Sequence, residues 1–347
     1  MRFHPPLRSG KDPAPSAAFS GAMPRLLSDR LAELRRERAF DPFAWVEEKA
    51  RSVNLYLRSS GLRGCVLGVS GGIDSALAAG VLAKAKAMDG SPMERIIGAS
   101  LPSLGDGGVT GQIAATARGT EVCERFGLES ATIDLREAGD LIVSASDAAF
   151  GFSGGPWARG QLIPILRTTV LYYATSLLAE CGIPSLVVGT TNLDEGGWLG
   201  YFGKASDGMV DLQIISDLHK SEVRLAAASL GVPASVMEAV PSGDMHDGRC
   251  DEDVFGAPYD FVELFSWWLR LDASDSVAAE AWLSSLEAEP ASAAAFKTWS
   301  SNLRALHAHN AHKYLGRSPA VHLDSRRSAI PGGWDNPSWS PSSAADE

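Results

Sequence analysis

Residues 65–75 read Cys65-Val66-Leu67-Gly68-Val69-Ser70-Gly71-Gly72-Ile73-Asp74-Ser75, and an Ala-rich run from Ala76 to Lys84 follows. The apolar run predicts a buried strand, the paired glycines a tight turn, and the Ala-rich run a helix. Glycine lets the backbone turn sharply and approach an anion closely. A helix that starts at such a turn aims free N–H groups and its positive dipole end at that anion. Gly68, Gly71 and Gly72 therefore outline a phosphate cradle, to which the hydroxyls of Ser70 and Ser75 add donors. Asp74 would be repelled by bare phosphate, so its expected partner is a magnesium ion carried on the phosphates.

Working outward, Ile96–Leu101 reads as a second strand, a helix spans about 109–126, and Thr132–Leu135 is a short third strand. A helix over about 161–181 leads to a fourth strand at Ser185–Gly189. Strands that are apolar on both faces and separated by helices predict an open, doubly wound parallel α/β sheet with helices on each side. Towards the N-terminus, Ser28 or Asp29 is expected to cap a charged helix ending at Arg38, and Asp41-Pro42 opens another. Gly-, Pro- and Asp-rich stretches at 149–160 and 241–256 are expected as loops at the carboxyl edge of the sheet, where such folds bind ligands. Residues 257–313 read as helices, with Trp267, Trp268, Trp282 and Trp299 as packing residues. The expected organisation is an arm over 1–27, an α/β domain over 28–256, a helical extension of it over 257–316, and an irregular tail over 317–347.

Composition narrows the chemistry. The 347 residues are 45% hydrophobic with a net charge of −11 and no long basic run, which argues against a nucleic-acid surface. The four cysteines stand far apart, with no Cys-x-x-Cys pair, so no zinc or iron–sulfur centre is indicated, and so few cysteines suit a reducing cytoplasm. No apolar run reaches the roughly 18 residues of a membrane span, and residues 1–25 lack the apolar core of a secretory signal.

The hexapeptide Ser70-Gly71-Gly72-Ile73-Asp74-Ser75 resembles the pyrophosphate loop of the ATP pyrophosphatases; no Gly-Lys-Ser/Thr follows it, unlike a Walker A loop. Further motifs narrow the resemblance. Gly189-Thr190-Thr191-Asn192-Leu193-Asp194-Glu195 follows the fourth strand. Gly200-Tyr201-Phe202-Gly203-Lys204, Asp211, Asp217-Leu218-His219-Lys220, Pro241-Ser242-Gly243-Asp244 and Asp251-Glu252-Asp253 come after it. Their order and spacing over about 40–270 resemble the ammonia-dependent NAD synthetases. That resemblance implies a ligase that adenylates the nicotinate carboxylate of deamido-NAD with ATP, releases pyrophosphate, and lets ammonia displace AMP.

The resemblance assigns Asp74 and Glu195 to magnesium, Lys220 and Ser242 to ATP phosphates, and Thr190 to the adenylate. It assigns Gln161, Arg167, Lys204 and Asp211 to the acceptor substrate. It also implies a homodimer, and, since no glutaminase region is present, ammonia taken up free or from a separate subunit. Lys220 falls in the first turn of a helix, where its charge opposes the dipole, which points to an anionic partner. Asp217 reads as the cap of that helix. The acceptor half departs from the family pattern: Gln161 replaces an Asn, Ile165 an Arg and Gly203 a Thr. One extra residue between Glu195 and Gly200 brings in Trp198. A paralogue amidating another carboxylic acid and a nucleotide-binding regulator are the alternative readings.

Overall fold

The computed structural model describes residues 23–103, 109–240, 249–314, 320–324, 330–334 and 339. Six parallel strands form one sheet, in the order β3-β2-β1-β4-β5-β6. They are β1 (Gly64–Gly68), β2 (Arg95–Ser100), β3 (Glu129–Thr132), β4 (Ser185–Gly189), β5 (Leu212–Gln213) and β6 (Val321–His322). The order reverses between β1 and β4, so the crevice at their carboxyl ends is the topological switch point, the ligand position of open α/β sheets. The Ser70–Ser75 turn leaves β1 at that crevice, and Thr190 leaves β4 beside it.

One face of the sheet carries the larger core. There α2 (Pro42–Ser59), α3 (Ile73–Lys86) and α7 (Lys220–Leu230) pack with the strands around Trp45, Leu57, Leu77, Leu82 and Leu218. Cys65 and Cys123 lie in this core as expected, and burial pushes the Cys65 thiol up to about 12. On the other face α6 (Pro156–Glu180) meets the sheet through two small clusters around Leu101 and Val187, and α5 (Arg136–Phe150) lies against α6. A second large core joins α1 (Arg25–Arg38) to α10 (Tyr259–Ser274), α11 (Ser276–Ser285) and α12 (Pro290–Asn310). There Trp268 packs on Phe265 and Phe296, as expected of a filler.

Several expectations are corrected. The third strand lies at Glu129–Thr132, earlier than expected, because register with β2 pairs Ile97 with Glu129. Strands β5 and β6 carry two residues each, too short for any alternation, and β6 belongs to a tail expected to be irregular. The first helix starts at Arg25 after Pro24, so Ser28 lies inside it and gives its hydroxyl to Met23 O at 2.8 Å. Asp217 does not cap α7. It is fully buried, accepts from Lys49 Nζ at 3.1 Å and Trp45 Nε1 at 3.2 Å, and His219 takes the cap position. The stretches read as loops are partly helical: α6 begins at Pro156, and α9 spans Asp251–Phe255. By length and composition α6, with a mean hydropathy of 1.3 over its most apolar window, is apolar enough to cross a membrane. In the fold it lies on β1 and β4, and its Arg167 donates through Nε to Leu101 O at 3.0 Å.

Candidate active site

The glycine turn is shaped by its own side chains and by α4 (Val109–Phe126). Ser75 Oγ donates to Gly72 O at 3.0 Å and accepts from Ser70 N at 3.3 Å, while Ser70 Oγ accepts from Gly72 N at 3.3 Å. Gly71 sits at φ +77°, and a Cβ there would lie 2.2 Å from Ala115 O of α4. Arg118 of α4 donates through Nε to Gly71 O at 2.9 Å. Only glycine satisfies both the positive φ and the close approach. The N-cap Gly72 has no capping side chain, which leaves the first amides of α3 for an acceptor from outside.

Three charged side chains from distant parts of the chain meet beside this turn. Lys220 Nζ, at the start of α7, donates to Asp74 Oδ2 at 2.5 Å and to Glu195 Oε1 at 3.0 Å. All three are largely buried, with side-chain exposures of 5%, 19% and 14% for Lys220, Asp74 and Glu195. The anionic partner expected of Lys220 is thus a pair of carboxylates. Burial lowers the Lys220 pKa, but the charges of Asp74 and Glu195 outweigh it and the net direction is upward. Asn192 ties two of the motifs together: its Nδ2 donates to Asp74 Oδ1 at 2.9 Å, and its Oδ1 accepts from Glu195 N at 3.1 Å.

A second layer of tyrosines and acids encloses the cluster. Tyr259 Oη lies 2.7 Å from Glu195 Oε1 and 2.8 Å from Asp251 Oδ2, and Tyr201 donates to Asp251 Oδ1 at 3.1 Å. One phenolic proton cannot serve both carboxylate oxygens. In keeping with this, burial first, and then Asp74 and Asp251 against the opposing Lys220, push Glu195 up to about 7. The acidic triplet divides into three tasks. Asp251 enters the site, Glu252 accepts from Tyr259 N at 2.8 Å, and Asp253 caps α9 through Cys250 N at 3.3 Å.

Lys220 is aimed by its own helix start. Asp194 Oδ2 accepts from Lys220 N at 2.7 Å, and Asp194 Oδ1 lies 2.6 Å from His219 Nδ1. Glu222 Oε2 accepts from His219 N at 3.0 Å and is held by Arg38. Burial opposes charge on His219, but Asp194 and the more distant Glu263 and Glu222 raise its pKa. Asn192, Asp194 and Asp251 lie within or beside the quoted motifs. Tyr259 has no sequence signal beyond following the acidic triplet.

The expected acceptor residues do not join this cluster. Gln161 and Lys204 are exposed, and Arg167 lies along α6. Asp211 is engaged at the sheet, accepting from Val187 N at 2.7 Å and Tyr172 Oη at 3.2 Å. Ser242 lies outside the described residues. Trp198, introduced by the extra residue, is buried in the second core, stacked on His307 with ring centroids 4.0 Å apart.

A family model described as NAD synthase matches residues 45–287, which contain the glycine turn, Asp74, Glu195 and Lys220. The chain belongs to the NAD synthase family. Relatives within reach of the family include the NH(3)-dependent NAD(+) synthetase of Methanococcoides burtonii, 32% identical over 60% of this chain and 72% of the relative. The enzyme of the same name from Thermococcus kodakarensis is 31% identical over 67% of this chain and 83% of its own. Among solved structures, the NAD+ synthetase of Burkholderia pseudomallei is 26% identical with a TM-score of 0.54, covering 70% of this chain and 89% of that one. The family match thus ends before α12; the glycine turn and strands β1 to β5 fall inside it, and β6 falls outside.

Proposed function

We propose that this chain is an ammonia-dependent ligase that amidates the nicotinate carboxylate of deamido-NAD. The observation that carries the reading is the meeting of Asp74, Glu195 and Lys220 beside the glycine turn, at the switch point of the sheet. In the first step a carboxylate oxygen attacks the α-phosphorus of ATP, the bond to the bridging oxygen breaks, and pyrophosphate leaves. In the second, ammonia attacks the acyl carbon, the acyl–oxygen bond to AMP breaks, and the amide forms with loss of a proton. No side chain has to become a covalent nucleophile. The amides of Gly72 to Ser75 and the ammonium of Lys220 supply fixed positive charge where the leaving pyrophosphate gains negative charge. The buried surroundings exclude the water that would hydrolyse the adenylate.

The residues present fit magnesium. Asp74 and Glu195 offer hard oxygens that already converge on one cation, the Lys220 ammonium. Two carboxylates suit an ion that shares its shell with phosphates and water. Asp74 and Glu195 would hold it, and when bound it would neutralise phosphate charge.

The acceptor is read by the less buried half. Arg167 and Gln161 of α6 lie on the side of the sheet away from the larger core, together with the apolar surface of α5 and α6, and Lys204 is exposed. Leu141, Phe150, Phe152 and Trp157 are 65–71% exposed there. We read these exposed apolar side chains as an interface, with a second copy of the chain as the partner. Ammonia arrives free or from a separate glutaminase.

The test is direct. The protein is incubated with ATP, magnesium, ammonium and deamido-NAD, and AMP and NAD are measured. Equal amounts of both are expected. AMP formed only with a different carboxylic acid would reassign the acceptor, and ATP binding without AMP from any acid would overturn the ligase reading.

A further inference from the structure

Residues Glu195–Leu199 wind as a π-helix, with Gly200 N donating to Glu195 O. This winding absorbs the extra residue noted in the sequence. A π turn is rare and persists where its surroundings hold it. Here the five carbonyls that follow Glu195 are each met by a donor from the far end of the chain. Tyr314 Oη donates to Gly196 O at 2.7 Å, Trp334 N to Gly197 O at 3.1 Å, and Asn310 Nδ2 to Leu199 O at 3.0 Å. His307 Nδ1 lies 2.6 Å from Trp198 O, and Lys313 Nζ donates to Gly200 O at 2.8 Å. In return Trp198 Nε1 donates to Pro331 O at 3.1 Å.

The approach is close enough to require glycine. A Cβ on Gly196 would lie 2.2 Å from the Trp334 ring, and one on Gly333 would lie 2.0 Å from Gly197 O. At its other end the same turn carries Glu195, bonded to Lys220 and Tyr259, and then Tyr201, bonded to Asp251. All the donors fall after residue 287, where the family match ends.

We propose that residues 307–314 and Trp334 form a positioning element of the active site: by holding the carbonyls of 196–200 they fix the π winding and so aim Glu195 and Tyr201. This rests on the ligase reading for its catalytic consequence. Without those donors the turn would relax towards i→i+4 winding, which rotates Glu195 about the axis and away from Lys220.

The test uses the full chain carrying His307→Ala, Asn310→Ala and Tyr314→Phe together, with Tyr314→Phe alone as the mild variant and His307→Gln as the one that keeps a donor. Hydrogen exchange of 195–202 is followed alongside 64–80, with the melting temperature and kcat for AMP formation. In the triple variant the amides of 195–202 are expected to exchange about tenfold faster while 64–80 is unchanged. The kcat is expected to fall about a hundredfold with the ATP KM little altered. His307→Gln should retain most of the activity, and Tyr314→Phe should show a smaller change in the same direction. Unchanged exchange in 195–202, or faster exchange spread equally over both segments, would overturn the proposal. The exchange measurement needs no substrate, so a wild-type chain without synthetase activity would sink the ligase reading and still leave the clamp decided.

Discussion

The two faces of the sheet are built on opposite terms. Helix α3, behind the glycine turn, is buried along most of its length, and the charges at its head are paired with one another. Helix α5, on the other face, buries none of its residues, and its apolar side chains face outward. The first face is finished within one chain and is set to hold a ligand of fixed shape and charge. The second leaves apolar side chains in the open, and its helix α6 carries Gln161 and Ile165, two of the positions where the sequence departs from the expected motif. Nucleotide chemistry tolerates little change in the placement of its charges, whereas an exposed face is under looser constraint.

The strongest test of that contrast is Asp74→Asn. It removes a charge from the finished face without changing shape, so AMP formation should fall at least about a hundredfold, with the melting temperature kept within a few degrees. Unaltered activity would break the assignment. Next comes Lys220→Met, which leaves Asp74 and Glu195 buried without their cation; urea unfolding should show a loss of about 3–5 kcal/mol, the usual cost of removing one partner of a buried pair.

Gly71→Ala should cost about 1–3 kcal/mol of stability through its positive φ. It should also weaken ATP binding measured by calorimetry, because the new methyl group meets Ala115 O. His219→Asn sharpens the picture through pH. Its raised folded pKa means that the stability it contributes is fully present below about 6.5 and is lost as pH rises through the folded value. The variant should therefore lag the wild type more at pH 6 than at pH 9 in thermal melts. The smallest effect on the protomer is expected from Leu141→Glu on the open face, with stability changed by no more than about 0.5 kcal/mol. Light scattering should nevertheless show dimers becoming monomers, and a wild type that is already monomeric would remove the interface.

Legibility in the sequence follows the same division. The turn, β1, α3 and the helix Val109–Phe126 could be read because local residue types dictate them. The meeting of Asp74, Glu195 and Lys220 was legible only through the family motifs, since nothing local states that positions 146 residues apart will touch. Strands β5 and β6 were hidden because two residues carry no period, and β6 is defined by the edge it completes. Asp217 misled because an Asp before a helix has two physical uses, capping and pairing with a buried cation, and Lys49 decides between them from α2. The extra residue before Gly200 was visible, but its winding was not: the donors that hold it come from α12 and beyond.

The Lys220 ammonium has a consequence for the order in which the site fills. Lys220 is itself a counter-ion between Asp74 and Glu195. A divalent ion arriving alone would have to compete with a tethered cation that has no better place to go. A polyphosphate would give that cation a new anion to follow and so would vacate the carboxylates. Metal titrated without nucleotide should accordingly produce little heat, and the two should load as a pair.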